Sequence, residues 1–170
     1  MAPLIRTFGA ISSTDIAPVA AIPTTAAHFC VWNGELPTGK TYTITSIGVT
    51  CTTSAGAVII LQPLAQISPM SGIPLISGTA ANGPKALDGY GNTSRGVVAS
   101  AVTIVNSGFW HPIGNALISA AMTATISQGV WTDVSRIGYT LPPQGLFSLA
   151  VLCSAAGSAK CQLSVTWSEQ

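Results

Sequence analysis

The sequence predicts an all-β domain, a jelly-roll-like antiparallel β-sandwich of about eight strands with an extended N-terminal arm. Two observations carry this expectation. Short runs of β-branched and aromatic residues alternate with polar ones, and each run stops at a Gly-, Pro- or Asn-containing turn. The chain has 170 residues, the size of one domain that can enclose a core.

Residues 1–26 differ from the rest of the chain. They are rich in Ala, Pro, Ser and Thr, with Pro3, Pro18 and Pro23, and keep no sustained period. Proline removes a backbone donor and favours extended structure, so this segment reads as an arm. Its apolar members Leu4, Ile5, Phe8, Ile11, Ile16, Val19 and Ile22 indicate an arm laid against a body, its own or a neighbour's. Residues 27–170 then form the sandwich.

His28–Trp32 is the first strand of that body and ends at the turn dipeptide Asn33-Gly34. Thr41–Thr45 alternates strictly and continues through Ile47–Cys51, and the change of phase near Ser46 predicts a bulge. Ala57–Leu61 reads as a buried strand cut off by Pro63. Residues 62–96 read as a long irregular excursion with room for a short strand at Ile73–Ile76.

In the second half, Val97–Val105 is a strand, Phe109-Trp110-His111-Pro112 opens another segment, and Ala116–Ile126 suits a strand or a helix. Val130–Val134 and Arg136–Thr140 are strands before the turn Leu141–Gly145. Leu146–Cys153 and Cys161–Trp167 read as a closing hairpin, across which Cys153 and Cys161 could meet.

Composition narrows the function. Hydrophobic residues make up 48% of the chain and charged residues 6%, with net charge +1, against roughly 25% charged in ordinary soluble domains. A surface of Ser, Thr, Asn, Gln and Gly hydrates well but gives little electrostatic protection against association. Such an exterior is expected to be covered by partners, with self-association the simplest case.

Other classes fit less well. No apolar run approaches the roughly 18 residues of a membrane span, and hydrophobicity is too high for disorder. Met1-Ala2-Pro3-Leu4-Ile5-Arg6 does not read as a secretory leader, so folding in a cytoplasm is expected. The cations Arg6, Lys40, Lys85, Arg95, Arg136 and Lys160 are isolated, which argues against direct nucleic-acid binding.

Catalysis is not expected. The acids are Asp15, Glu35, Asp88, Asp133 and Glu169, the histidines His28 and His111, and no Gly-x-Ser-x-Gly elbow is present. Cys30, Cys51, Cys153 and Cys161 have no metal spacing, and Asp88–Asn92 lacks the carboxylates of a calcium loop, so no cofactor or metal is expected. His111, beside Phe109 and Trp110, is either an interface group or hydrogen-bonded at a core edge. Trp32, Trp110, Trp131 and Trp167 suit core and interface anchoring, with a carbohydrate platform as the alternative. The interface candidates are Leu4, Ile5, Phe8, Ile11, Trp110 and His111.

One likeness sharpens these expectations. The stretches Cys30–Glu35 and Gly39–Ile44, then Ile137–Leu149 and Val165–Glu169, resemble small structural proteins encoded beside head genes in tailed bacteriophages. The likeness spans roughly residues 26–170. It implies a tumour-necrosis-factor-like jelly roll, commonly a trimer, set on a capsid surface as a decoration or cement protein. It also implies partnership with the major capsid protein or other virion subunits, and residence in the virion after assembly in a host cytoplasm. The alternative is a trimeric receptor- or glycan-binding module of a fibre or spike, using residues such as Tyr90, Asn92 and Trp110.

Overall fold

The structure, a computed structural model, describes residues 5–54, 59–69, 79–80, 84–88, 94–104, 109–114, 117–119, 128–154 and 159–170. Leu4, Tyr90, Asn92, the expected strand at 73–76 and most of 116–126 lie outside them. The described strands, in chain order, are β1 (Arg6–Ile11), β2 (Ala26–Trp32), β3 (Tyr42–Ser54), β4 (Ile59–Pro69), β5 (Thr79–Ala80) and β6 (Lys85–Ala86). They continue with β7 (Val97–Thr103), β8 (His111–Pro112), β9 (Leu117–Ser119), β10 (Gln128–Asp133), β11 (Thr140–Leu141), β12 (Gly145–Cys153) and β13 (Ala159–Glu169). Eight of them run six residues or longer, the number the turn spacing predicts.

Two antiparallel sheets build a β-sandwich. One has the order β10-β3-β13-β1-β6, with β11 also on β3; the other has β5-β7-β2-β12-β4-β8, with β9 also on β4. The chain passes back and forth between them, so β2, β4 and β12 sit opposite β3 and β13. Alternation explains the core. Phe29, Val31, Phe147, Leu149 and Val151 point inward from one sheet, and Tyr42, Ile44, Leu163, Val165 and Trp167 from the other. Phe8 and Tyr42 both stack on Trp167, at centroid distances of 6.1 and 6.2 Å. Burying each of these large side chains contributes about 1.5–3 kcal/mol.

The predicted bulge is present. Thr166 pairs with Ser46 and Trp167 with Ile44, leaving Thr45 as the extra residue on β3. The turn before β12 is also as expected: the Gly145 N–H donates to the Pro142 carbonyl at 2.9 Å, and Gln144 takes φ +64°.

Of the two bodies open to the N-terminal segment, it lies on its own: residues 6–11 are a strand paired along its whole length with β13, from Arg6↔Glu169 to Ile11↔Ser164. Ile16 bridges Cys161 and Val19 bridges Leu152, so the rest of the segment also lies on its own sandwich. β4 does not stop at Pro63. It runs through it, because the missing donor falls where β8 and β9 leave a gap between Leu61 and Leu64.

Arg136–Thr140 is largely a turn, with the Ile137 N–H on the Val134 carbonyl and Gly138 at φ +78°, and only Thr140 and Leu141 pair. β12 and β13 are no hairpin, for they belong to opposite sheets. All four cysteines are buried thiols outside any disulfide, and burial pushes Cys30 and Cys161 up to about 12.

Asn33 is no surface turn residue. It is fully buried, its amide donating to the carbonyls of Lys40 (2.9 Å) and Leu141 (3.0 Å) while its side-chain oxygen accepts the Glu35 N–H.

Candidate functional site

The two outer faces of the sandwich differ. On the β12 sheet, Cys30, Leu64, Ala99, Leu146 and Ala150 form a second apolar cluster that includes buried Trp110 and Ile104. Trp110 donates its indole N–H to the Pro23 carbonyl at 2.8 Å, which fixes it in place. This face is closed by its own chain.

The outer face of the β13 sheet is open. Register places Trp131, Gly48, Ser164 and Ile11 in one row across β10, β3, β13 and β1. The neighbouring row is Asp133, Ser46, Thr166, Gly9 and Lys85, reaching across to β6. Trp131 remains 59% exposed, Leu87 58% and Ile11 42%, so three large apolar side chains meet solvent around a floor of small residues.

Gly48 is needed there. A β-carbon at Gly48 would lie 2.3 Å from the Ser164 hydroxyl and 2.6 Å from the Trp131 ring. At Gly9 it would touch Leu87 and Thr166. The result is a groove of about 350 Å³ lined by Gly9, Ile11, Lys85, Leu87, Trp131 and Thr166 among others, its wall almost entirely carbon. The hydroxyls beneath it satisfy one another: Thr166 bonds to Thr45 at 2.7 Å and also to Ser46.

Within these two rows charges stand only at the ends of the second, while Lys160 is exposed further along β13. Asp133 accepts the Ser135 N–H at 2.8 Å, and the bonds from Ser135 hold its carboxyl below the usual range. Lys85 is exposed. Neither is in an ion pair among the described residues, although nearby Arg136 also favours the Asp133 carboxylate, whereas Arg6 pairs with Asp88 and Lys40 with Glu169.

The sequence-derived interface candidates fall into different places. Ile5 is exposed, and Ile11 is exposed and lines the groove. Phe8 is wholly buried against Trp167, so it cannot be offered to a neighbour, and Trp110 is taken up by the closed face. His111 is half-buried, its Nδ1 bonded to the Tyr139 hydroxyl at 2.6 Å, with Phe109 6.3 Å away and 83% exposed. Trp131, Leu87 and Lys85 are not among the candidates. The alternation of Val130, Thr132 and Val134 against Trp131 and Asp133 does carry the signal for the first of them.

A smaller cavity of about 250 Å³ is lined by Asp15, Ile16, His28, Ser100 and Ala101, among others. Its residue types are those of a hydrolytic triad, but its bonding is different. His28 Nδ1 accepts the Val151 N–H at 3.1 Å and Asp15 accepts the Thr52 hydroxyl at 2.9 Å, so the imidazole is oriented by backbone. The described residues hold no group of three metal-ligating side chains and no helix long and apolar enough to cross a membrane.

The fold and this surface define an antiparallel β-sandwich with one closed and one open apolar face. Comparison with protein-family models, with curated proteins and with solved structures gives no significant match.

Proposed function

We propose that the chain is a non-enzymatic structural protein of a virion, a capsid decoration or cement protein that associates with copies of itself and with shell subunits. The single observation that carries the reading is the open face of the β13 sheet, where Trp131, Leu87 and Ile11 stand exposed in a chain that is only 6% charged. An exterior of this kind gains by burial against protein and loses little desolvation energy in doing so. Repetition over a symmetric shell turns modest contacts into strong attachment. The resemblance to phage head-associated proteins supplies the virion setting, and with it the expectation of trimers.

The attachment differs from a free apolar arm. Phe8 and Ala10 belong to the protein's own core, so the binding surface is a sheet face, with exposed Ile5 and Ile11 at its rim. The carbon lining of the groove favours apolar side chains over sugars, whose hydroxyls need polar partners.

Quantitative mass spectrometry of purified particles tests the reading. Decoration predicts copies in proportion to the major capsid protein and earlier heat disruption of particles that lack the chain. A few copies per particle would move it to a fibre or spike, and absence from particles overturns it.

A further inference from the structure

We infer that the open face of the β13 sheet is self-complementary and seats a second copy of this chain about a two-fold axis running parallel to β13. The inference rests on the self-association in the proposed function and not on its virion setting.

β13 is the middle of the five strands that run across its six-stranded sheet, with β3 and β10 on one side and β1 and β6 on the other. Asp133 therefore lies two strands from Thr166 in one direction, and Lys85 two strands from it in the other. A two-fold axis along β13, between two facing sheets, exchanges these two sides. It sets each Asp133 against the other copy's Lys85, twice per dimer. An axis across the strands would instead oppose like charges.

The apolar row follows the same exchange. Trp131 stands on the Asp133 side, and Ile11 and Leu87 on the Lys85 side. The rotation lays each indole toward the Ile11 of the other copy, which shares its row. The middle of these two rows carries only Gly48, Ser164, Gly9, Ser46 and Thr166, so no bulky side chain holds the sheets apart there. Such a contact is isologous, each partner offering the same patch. It joins pairs, and in a trimeric decoration protein it would link one trimer to the next. The carbon wall, the opposite charges at equal distances from the central strand, neither in an ion pair among the described residues, and the near-neutral exterior point together to a like partner.

Charge exchange tests the contact. Sedimentation of the full-length protein over a concentration series is expected to show reversible pairing. Asp133→Lys or Lys85→Asp alone creates two like-charge contacts per dimer and is expected to weaken pairing about tenfold or more. The double variant restores both pairs and is expected to return to within about threefold of the parent.

Cysteine pairing gives a separate readout. Lys85→Cys combined with Asp133→Cys is expected to give a covalent dimer with a thiol-reactive cross-linker spanning about 10 Å, the separation of two facing sheets. Within one chain the two positions are about 19 Å apart, four strand spacings, and lie beyond its reach.

A parent that stays monomeric, single reversals without effect, or a double variant no better than the singles would overturn the inference. Pairing by a chain that is missing from particles sinks the virion reading alone. Unchanged incorporation of non-pairing variants into particles keeps the virion reading, and the loss of pairing in the single reversals stands as support for the contact.

Discussion

Trp131 and Gly48 face each other across the β10–β3 ladder, and the indole lies where a side chain on Gly48 would have to be. The glycine has no unusual backbone angle to explain it. Its value is spatial: it lets a large aromatic lie flat on a sheet while keeping most of its surface in water.

Gly48→Ala therefore forces the indole and the Ser164 hydroxyl to move. The expected cost is about 1–3 kcal/mol in urea unfolding, with a shift in tryptophan emission. In a Trp131→Ala background the same change costs less, because one of its two clashes is gone. Trp131→Ala alone is expected to alter stability by about 0.5 kcal/mol or less, since the ring is mostly exposed. Equal penalties in both backgrounds would show that the ring is not the obstacle.

Phe8→Ala separates a strand from an arm. Phe8 is fully buried on Trp167, with the Arg6 guanidinium 5.2 Å from its ring centre. Truncation is expected to cost about 3–5 kcal/mol in equilibrium unfolding of dilute protein. A change that affected association and left the unfolding midpoint in place would return residues 6–11 to a neighbour's surface.

Glu169 is a buried acceptor at the end of β13. It receives the Lys40 ammonium, the Ser94 hydroxyl and the Trp167 indole N–H, while the Lys40 side chain is still 46% exposed. Glu169→Ala strands the indole N–H and is expected to cost about 1–3 kcal/mol. Glu169→Gln keeps an acceptor and should recover most of it. The comparison is read from midpoints at neutral pH, and equal losses in the two variants would mean that charge matters more than bonding.

Mild acid should weaken the fold through His28. Burial lowers its pKa from the ordinary 6.5, and its Nδ1 must stay unprotonated to accept the Val151 N–H. The unfolded chain then binds the proton more readily, so stability is fully present above the ordinary value and falls as pH drops through it toward the lower folded value. Thermal unfolding from about pH 8 to about pH 5 is expected to show this decline. His28→Asn, which can still accept the N–H, should flatten it. A wild-type curve that is level over this window would remove His28 from the account.

The sandwich is legible because half-buried strands alternate. The runs around Val31, Ile44, Val130 and Val165 carry that period openly, and the slip of phase at Ser46 marks the bulge. Local pattern misleads where partners distant in sequence decide. Asn33 looks like a turn residue until the Lys40 and Leu141 carbonyls close around it. Pro63 looks like a terminator until the strands beyond it prove too short to need its donor. Leu146–Cys153 and Cys161–Trp167 look like a hairpin because they are consecutive, yet each finds its partners in a different sheet. Of the open face, Ile11 is legible from its apolar character alone. Lys85 is not, because only the pairing of β6 with β1 carries it there.

The seam between β1 and β13 has a temporal consequence. Its six pairs join residues some 150 positions apart, as in Ile11↔Ser164. At about 5–20 residues per second on a ribosome, the leading segment waits roughly 8–30 s for the strand that will shelter Phe8. Closure thus waits on the synthesis of β13. Until then the position beside β1 is vacant, and the face proposed to recognise a second copy is unfinished.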